Sequence, residues 1–186
     1  MYGKMYSVIQ YSSSLTSEPF LYEEIKKVVS LKLSGITDEE IRRRVAEENL
    51  LNYKSIKQAS RLLPVILKRI VFLDSYLADV LVNGNECDSK MIALYLLMKN
   101  NLLFQKFVEE VYMNKIRSKE SSISKVDVND FFNKKKKESS IVSKWQPRVI
   151  KKLGQVYLKI LYDAGMLNNT RECNVLRRDI DYSLFK

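Results

Sequence analysis

Apolar residues recur along this chain at intervals of three and four, so the pattern predicts helices throughout. In "SEPFLYEEIKKVVSLKLSG", Phe20, Leu21, Ile25, Val28, Val29 and Leu33 fall near helical period and are expected to face a core. Ser17 is placed to cap this helix, Pro19 suits its first turn and Gly35 its stop. In "TDEEIRRRVAEENLL", Thr37 stands three residues before Glu40 as a capping box, and Asp38 and Glu39 favour the positive end of the helix dipole. Ile41 and Val45 point inward there, while Arg42, Arg43 and Arg44 sweep around the exposed side. The next stretch predicts more helix, bent or broken at Pro64, restarting near Asp74 and ending at Gly84.

"DSKMIALYLLMKNNLLFQKFVEEVYMNKIRSK" predicts two helices that meet near Asn100 and Asn101. Its segment "MIALYLLM" is apolar all round, which marks a central, buried helix. Asp127 is expected to cap a short helix anchored by Phe131 and Phe132, and a last long helix is expected from about Lys144 to Ala164, closed by Gly165. The tail after Gly165 reads as a short β-hairpin or an irregular arm. No internal repeat is present. The fold class is therefore all-α, a compact multi-helix bundle forming one body or two helical subdomains. The organisation expected is an N-terminal helical domain over 1–112, with a helix-turn-helix-like segment, and a basic C-terminal helical region over 113–186.

Composition supports the helical reading and narrows the chemistry. Five glycines and three prolines in 186 residues are few, and 46% hydrophobic residues suffice for a real core. The chain has no histidine, which excludes within it a histidine-held zinc site and a Ser-His-Asp triad. Cys87 and Cys173 stand far apart and read as reduced thiols of a cytosolic protein. The start of the chain lacks the apolar stretch of a signal peptide, and "MIALYLLM" falls well short of the about 20 residues a spanning helix needs. A soluble, cytoplasmic protein is expected, without membrane contact. Phosphate-loop and dinucleotide glycine motifs are missing, so no catalysis, cofactor, metal or small-molecule substrate is expected. A carboxylate-dependent nuclease stays open, since Asp and Glu alone can hold magnesium, but its acids should converge and the most cationic region has only four.

Charge adds a localised signal. The net charge is +10. Residues 113–159 hold 13 Lys and Arg against 4 Asp and Glu, whereas residues 1–112 hold 15 against 14. Charge serving solubility alone would have no reason to concentrate in this way. On a helical wheel over 144–164, Trp145, Val149, Leu153, Val156, Tyr157, Ile160 and Ala164 share one side. Lys144, Arg148, Lys151, Lys152, Gln155 and Lys159 share the other, with no acid among them. Upstream, Lys134, Lys135, Lys136 and Lys137 extend the same field.

Three readings fit such a face. It can be ordinary solvated charge, although solvated helices usually mix signs for i, i+4 pairing. It can be a membrane-surface helix, which would need its apolar side free for lipid. Or it can be a site for nucleic-acid phosphate, where fixed cations release condensed counterions. A second, weaker signal is the helix-turn-helix rhythm of "LSGITDEEIRRRVAEENLLNYKSIKQASRLL". There Arg42, Arg43, Arg44, Lys54, Lys57 and Arg61 would be phosphate or base contacts. Simple packing of a helical hairpin explains the same rhythm, and its spacer is longer than a tight turn. Tyr53 and Tyr112 are the candidate stacking residues if the ligand is RNA.

The stretch "FLYEEIKKVVSLKLSGITDEEIRRRVAEENLLNYKSIKQASRLLPVILKRI" resembles the opening half of the BrxA family, encoded in BREX bacteriophage-resistance loci. "KMIALYLLMKNNLLFQKFVEEVYMNKI" and then "KWQPRVIKKLGQVYLKILYDAGML" follow in the family's order, so the resemblance spans roughly residues 15 to 167. It implies an all-helical fold similar to the NusB antitermination proteins, binding of double-stranded DNA, and action beside other BREX proteins. It carries no functional residue across, so the candidate contacts above rest on charge placement alone. A protein-binding adaptor in the defence complex and a NusB-like RNA-binding protein are the alternatives.

Overall fold

A computed structural model describes residues 10–176 of the chain. A short 3-10 turn, Ser14–Thr16, precedes α1 (Tyr22–Leu33), α2 (Asp38–Glu48), α3 (Ile56–Arg69), α4 (Ser75–Asn83) and α5 (Glu86–Asn100). The second half holds α6 (Leu102–Phe107), a π-helical turn (Val108–Tyr112), α7 (Met113–Ser118), α8 (Lys125–Glu138), α9 (Ser140–Ser143) and α10 (Pro147–Asp163). The all-α class holds, and no named strand occurs among the described residues.

Helix α5 is the axis of the bundle. Met91, Ile92, Ala93, Leu94, Leu96 and Leu97 are all buried, as an all-apolar segment requires. It packs on α1, α3, α4 and α6. Beyond it lies an aromatic cluster in which Tyr157 of α10 meets Phe104 edge-on at 5.0 Å and stacks with Phe132 of α8 at 5.8 Å. Phe107 and Phe131 complete the cluster at 5.2 Å from each other. One contiguous set of buried side chains runs from Leu15 to Cys173. The division expected at 112/113 falls inside the helical run formed by α6, the π turn and α7.

Several caps fall where the residue types place them. Thr37 accepts from the Glu40 amide at 3.2 Å, Asp74 from Leu77 at 2.8 Å, and Asn101 from Phe104 at 2.9 Å. Gly35 sits at φ +82°, the left-handed stop that glycine tolerates. Other boundaries differ from the expectation. Helix α1 starts at Tyr22 and not near Ser17, because buried Arg69 donates to the carbonyls of Pro19 and Phe20, both at 2.9 Å, and holds that stretch out of the helix. Helix α3 runs through Pro64 without a break. Ser124, not Asp127, caps α8, with Asp127 closing a capping box as its N3 residue. The last helix begins at Pro147, so Lys144 and Trp145 precede it.

The tail alternatives resolve in part. After Gly165 (φ +75°) the chain doubles back through an isolated bridge between Leu167 and Val175 and another between Asn174 and Ser122. No β-hairpin with strands forms in this described part, and residues 177–186 lie outside the described residues. The buried Cys173 closes the arm against the core.

Candidate nucleic-acid interface

The basic stretch does not act as one surface. Among the four consecutive lysines, Lys135 is buried, with Nζ 2.6 Å from Glu110 and 2.8 Å from Glu138, over the Phe131 ring. Burial opposes its charge, but the two carboxylates outweigh that and raise its pKa. Lys134 is exposed but reaches the same Glu110 at 2.9 Å. Burial would raise the Glu110 carboxyl, yet hydrogen bonds from Lys135 and Lys134 hold it below its usual range. Lys135 is therefore a structural cation, tied to the π turn that carries Glu110, and Lys134 is partly neutralised.

The helix period explains this sorting. Consecutive residues point about 100° apart, so four lysines in a row cannot share a face. Lys136 turns toward α10, and Lys137 faces solvent.

Between α8 and α10 the chain forms an open groove of about 1020 Å³. Residues spaced four, four and three apart on α8, namely Lys125, Asn129, Asn133 and Lys136, form one wall. Lys151, Gln155 and Lys159 of α10 form the other. Val128, Phe132, Ile150 and Leu158 supply the floor. Among the described residues no carboxylate lines the groove. Its depth depends on Gly154, where an added Cβ would lie 2.8 Å from Val128 Cγ1. Glycine is needed there for the close approach of the two helices.

Four of the residues chosen from charge placement thus reach one feature or its edge. Lys136, Lys151 and Lys159 line the groove, and Arg148 is exposed on α10 next to Pro147 of the lining. Lys152 and Lys144 are exposed nearby in sequence without lining it. Lys136, Lys137, Lys144, Arg148, Lys151 and Lys152 make no ion pair among the described residues. Lys159 is paired with Asp163 and lies over the Tyr162 ring. Sequence reasoning missed Lys125, Asn129 and Asn133, although their helical spacing with Lys136 was the available signal.

The α2–α3 cations line no part of this groove. Arg43 is engaged by Glu40, Glu47 and Glu48, and Arg44 by Glu40 at 2.6 Å. Hydrogen bonds from Arg43 and then Arg44 hold the Glu40 carboxyl down to about 2. Glu40 thus serves these arginines instead of completing the capping box. Arg42, Lys54, Lys57 and Arg61 are exposed. The turn between α2 and α3 is closed by Asn49, whose side-chain amide donates to the Tyr53 carbonyl and accepts from the Tyr53 backbone N–H. Tyr53 also donates its hydroxyl to Glu24, and Tyr112 is buried with its hydroxyl on the Leu176 carbonyl. Neither tyrosine is a free stacking platform. No helix among the described residues is long and apolar enough to cross a membrane, and no cluster of potential metal ligands occurs among them.

Comparison with known proteins places this architecture. A chain from Magnetospirillum magneticum, whose crystal structure is described as that of an uncharacterized protein, superposes with a TM-score of 0.77 over 94% of this chain and 90% of its own, at 17% identity. That likeness concerns the fold. The BREX protein BrxA of Escherichia coli O9:H4 (strain HS) is 21% identical over 161 residues, 87% of this chain and 76% of that protein. The BREX protein BrxA of Bacillus cereus (strain H3081.97) is 32% identical over 170 residues, 91% of this chain and 85% of that protein. With the BrxA family profile also matching residues 9–186, the chain belongs to the BrxA family.

Proposed function

We propose that this protein is a non-catalytic, DNA-binding component of a BREX phage-defence system, and that it holds the phosphate backbone of double-stranded DNA along the α8–α10 groove. Family membership and the naming of two relatives as BREX proteins support the defence role and other BREX proteins as partners. The observation that carries DNA binding is the groove itself: Lys125, Lys136, Lys151 and Lys159 line it with no carboxylate in the lining among the described residues, and Lys159 alone of the four is ion-paired among them, with Asp163 outside the lining. Such a wall favours a repeating anion over an acidic side chain, because each phosphate releases condensed counterions. The apolar face of α10 is spent mainly on the core through Leu153, Tyr157 and Ile160, which leaves no continuous apolar face for lipid.

Fluorescence anisotropy with a labelled duplex at several salt concentrations tests the reading. With Arg148 and Lys152 the unpaired groove lysines Lys125, Lys136 and Lys151 make about five phosphate contacts, for a log-log salt slope of about −4.5. Salt-independent binding, or no binding at low salt, overturns it. Duplex DNA is expected to outcompete single-stranded RNA, since the exposed ring beside the groove, Tyr162, is covered by Lys159 and is not free to stack on a base.

A second reading, an adaptor for another defence protein, draws on the neighbouring exposed residues Val71, Phe72 and Tyr76. A partner retained from nuclease-treated lysate, together with failure of the DNA titration, would favour it.

A further inference from the structure

A second cleft, of about 380 Å³, lies away from the groove, between the residue 10–18 arm and the C-terminal turns of α3 and α5. Its deepest polar group is Arg69, which is 2% exposed. Arg69 Nη1 donates to Pro19 and Phe20, but Nη2 is buried with no hydrogen-bond partner. The nearest acid, Glu18, holds an oxygen 3.8 Å from Nη2, beyond hydrogen-bond reach, and accepts instead from the Ser14 hydroxyl at 3.2 Å. Burial pulls the Arg69 pKa down to about 10, so it stays a cation at neutral pH.

Lys68 and Lys99 also line the cleft. Both sit in last helical turns, where carbonyl dipoles favour cations in any protein, so alone they would say nothing. The unanswered guanidinium nitrogen is different, because a buried donor without an acceptor is costly and rare. Three cations and one carboxylate line a space that also has apolar walls, Val65, Leu97 and the half-exposed ring of Phe72.

We propose that this cleft binds a small organic oxyanion, with its phosphate or carboxylate head on Arg69, Lys68 and Lys99 and an apolar or aromatic body against Phe72, Val65 and Leu97. Glu18 acts as the resident counter-ion, close enough to offset Arg69 and free enough to yield to a ligand. The site is separate from the α8–α10 groove and does not depend on DNA binding.

Isothermal titration of the full chain with phenyl phosphate, benzoate and inorganic phosphate tests this. Saturable 1:1 binding of phenyl phosphate or benzoate is expected, about tenfold tighter than inorganic phosphate, because only the former fill the apolar walls. Whichever of the two binds more tightly identifies the head group. Glu18→Gln should tighten binding about fivefold, and the Lys68→Gln/Lys99→Gln double variant should weaken it about fivefold or more. The two lysine changes are on the surface and leave Arg69, Glu18 and the core intact, so the test does not depend on a variant that fails to fold. Absence of saturable binding at millimolar ligand overturns the proposal. So does binding that these variants leave unchanged, or binding abolished by Lys136→Gln/Lys151→Gln, which would place the ligand in the other groove.

Discussion

Lys135 Nζ lies 2.6 Å from Glu110 Oε1, which joins helix α8 to the π turn at the centre of the second half of the chain. Its neighbour Lys137 is exposed, so two residues of identical chemistry two positions apart have opposite roles. Glu110→Ala would leave the buried Lys135 ammonium with Glu138 as its sole carboxylate. Breaking a buried pair is strongly destabilising, but Glu110 is 28% exposed, so the loss is discounted to about 2 kcal/mol. Lys137→Ala should change stability by less than about 0.5 kcal/mol. Urea unfolding of both variants measures the contrast, and similar midpoints would remove the structural role assigned to Lys135.

The same pair sets a pH dependence. The folded protein holds Glu110 below its usual value of 4.5, so the unfolded chain binds the proton more readily. The stability Glu110 provides is present above pH 4.5 and is lost as pH falls through the lower, folded-state value. Other carboxylates titrate in the same window, so the diagnostic is a difference. Thermal melting temperatures of the wild type and Glu110→Gln are expected to converge as pH drops below 4.5. A constant gap between pH 7 and pH 3 would contradict it.

The fold was largely legible because periodicity is a local property. The inward positions Ile41, Val45, Leu153 and Tyr157, and the burial of six of the eight residues of "MIALYLLM" with Tyr95 and Met98 half-buried, follow from spacing alone. The start of α1 was hidden because Arg69, some fifty positions along the chain, occupies the carbonyls of Pro19 and Phe20. The site was half legible for the same reason. Composition located the cations, but whether Lys134 and Lys135 stay free depends on Glu110, which arrives from some twenty-five positions away, whereas Glu40 and Glu47 engage Arg43 at the i, i+3 and i, i+4 spacings of their own helix. The facing wall on α8 was readable only once α10 was known to pack against it.

Gly154 makes that packing possible. Gly154→Ala would put a methyl 2.8 Å from Val128 Cγ1, and helix propensity would return up to about 1 kcal/mol. Overpacking of this kind costs about 1–3 kcal/mol, so a net loss of stability is expected. Val128→Ala removes the opposing atom, so the double variant should be more stable than the sum of the single effects predicts. Calorimetric melting of the four proteins in this cycle provides the check, with strict additivity as the contrary result.

Charge removal separates the groove from the other cations. Lys136→Gln/Lys151→Gln takes two unpaired cations from facing walls and leaves the core untouched. If each neutralises one phosphate, the log-log salt slope for duplex binding should shrink by about 1.8, with affinity falling alike for unrelated sequences. Arg43→Gln/Arg44→Gln removes as much charge, but those guanidiniums are already engaged by Glu40, and the slope should not move. Lys57→Gln/Arg61→Gln removes exposed, unpaired cations of α3 outside the groove, and it too should leave the slope in place. Equal losses from all three pairs would mean that DNA responds to net charge alone, because only a localised contact distinguishes variants of identical total charge.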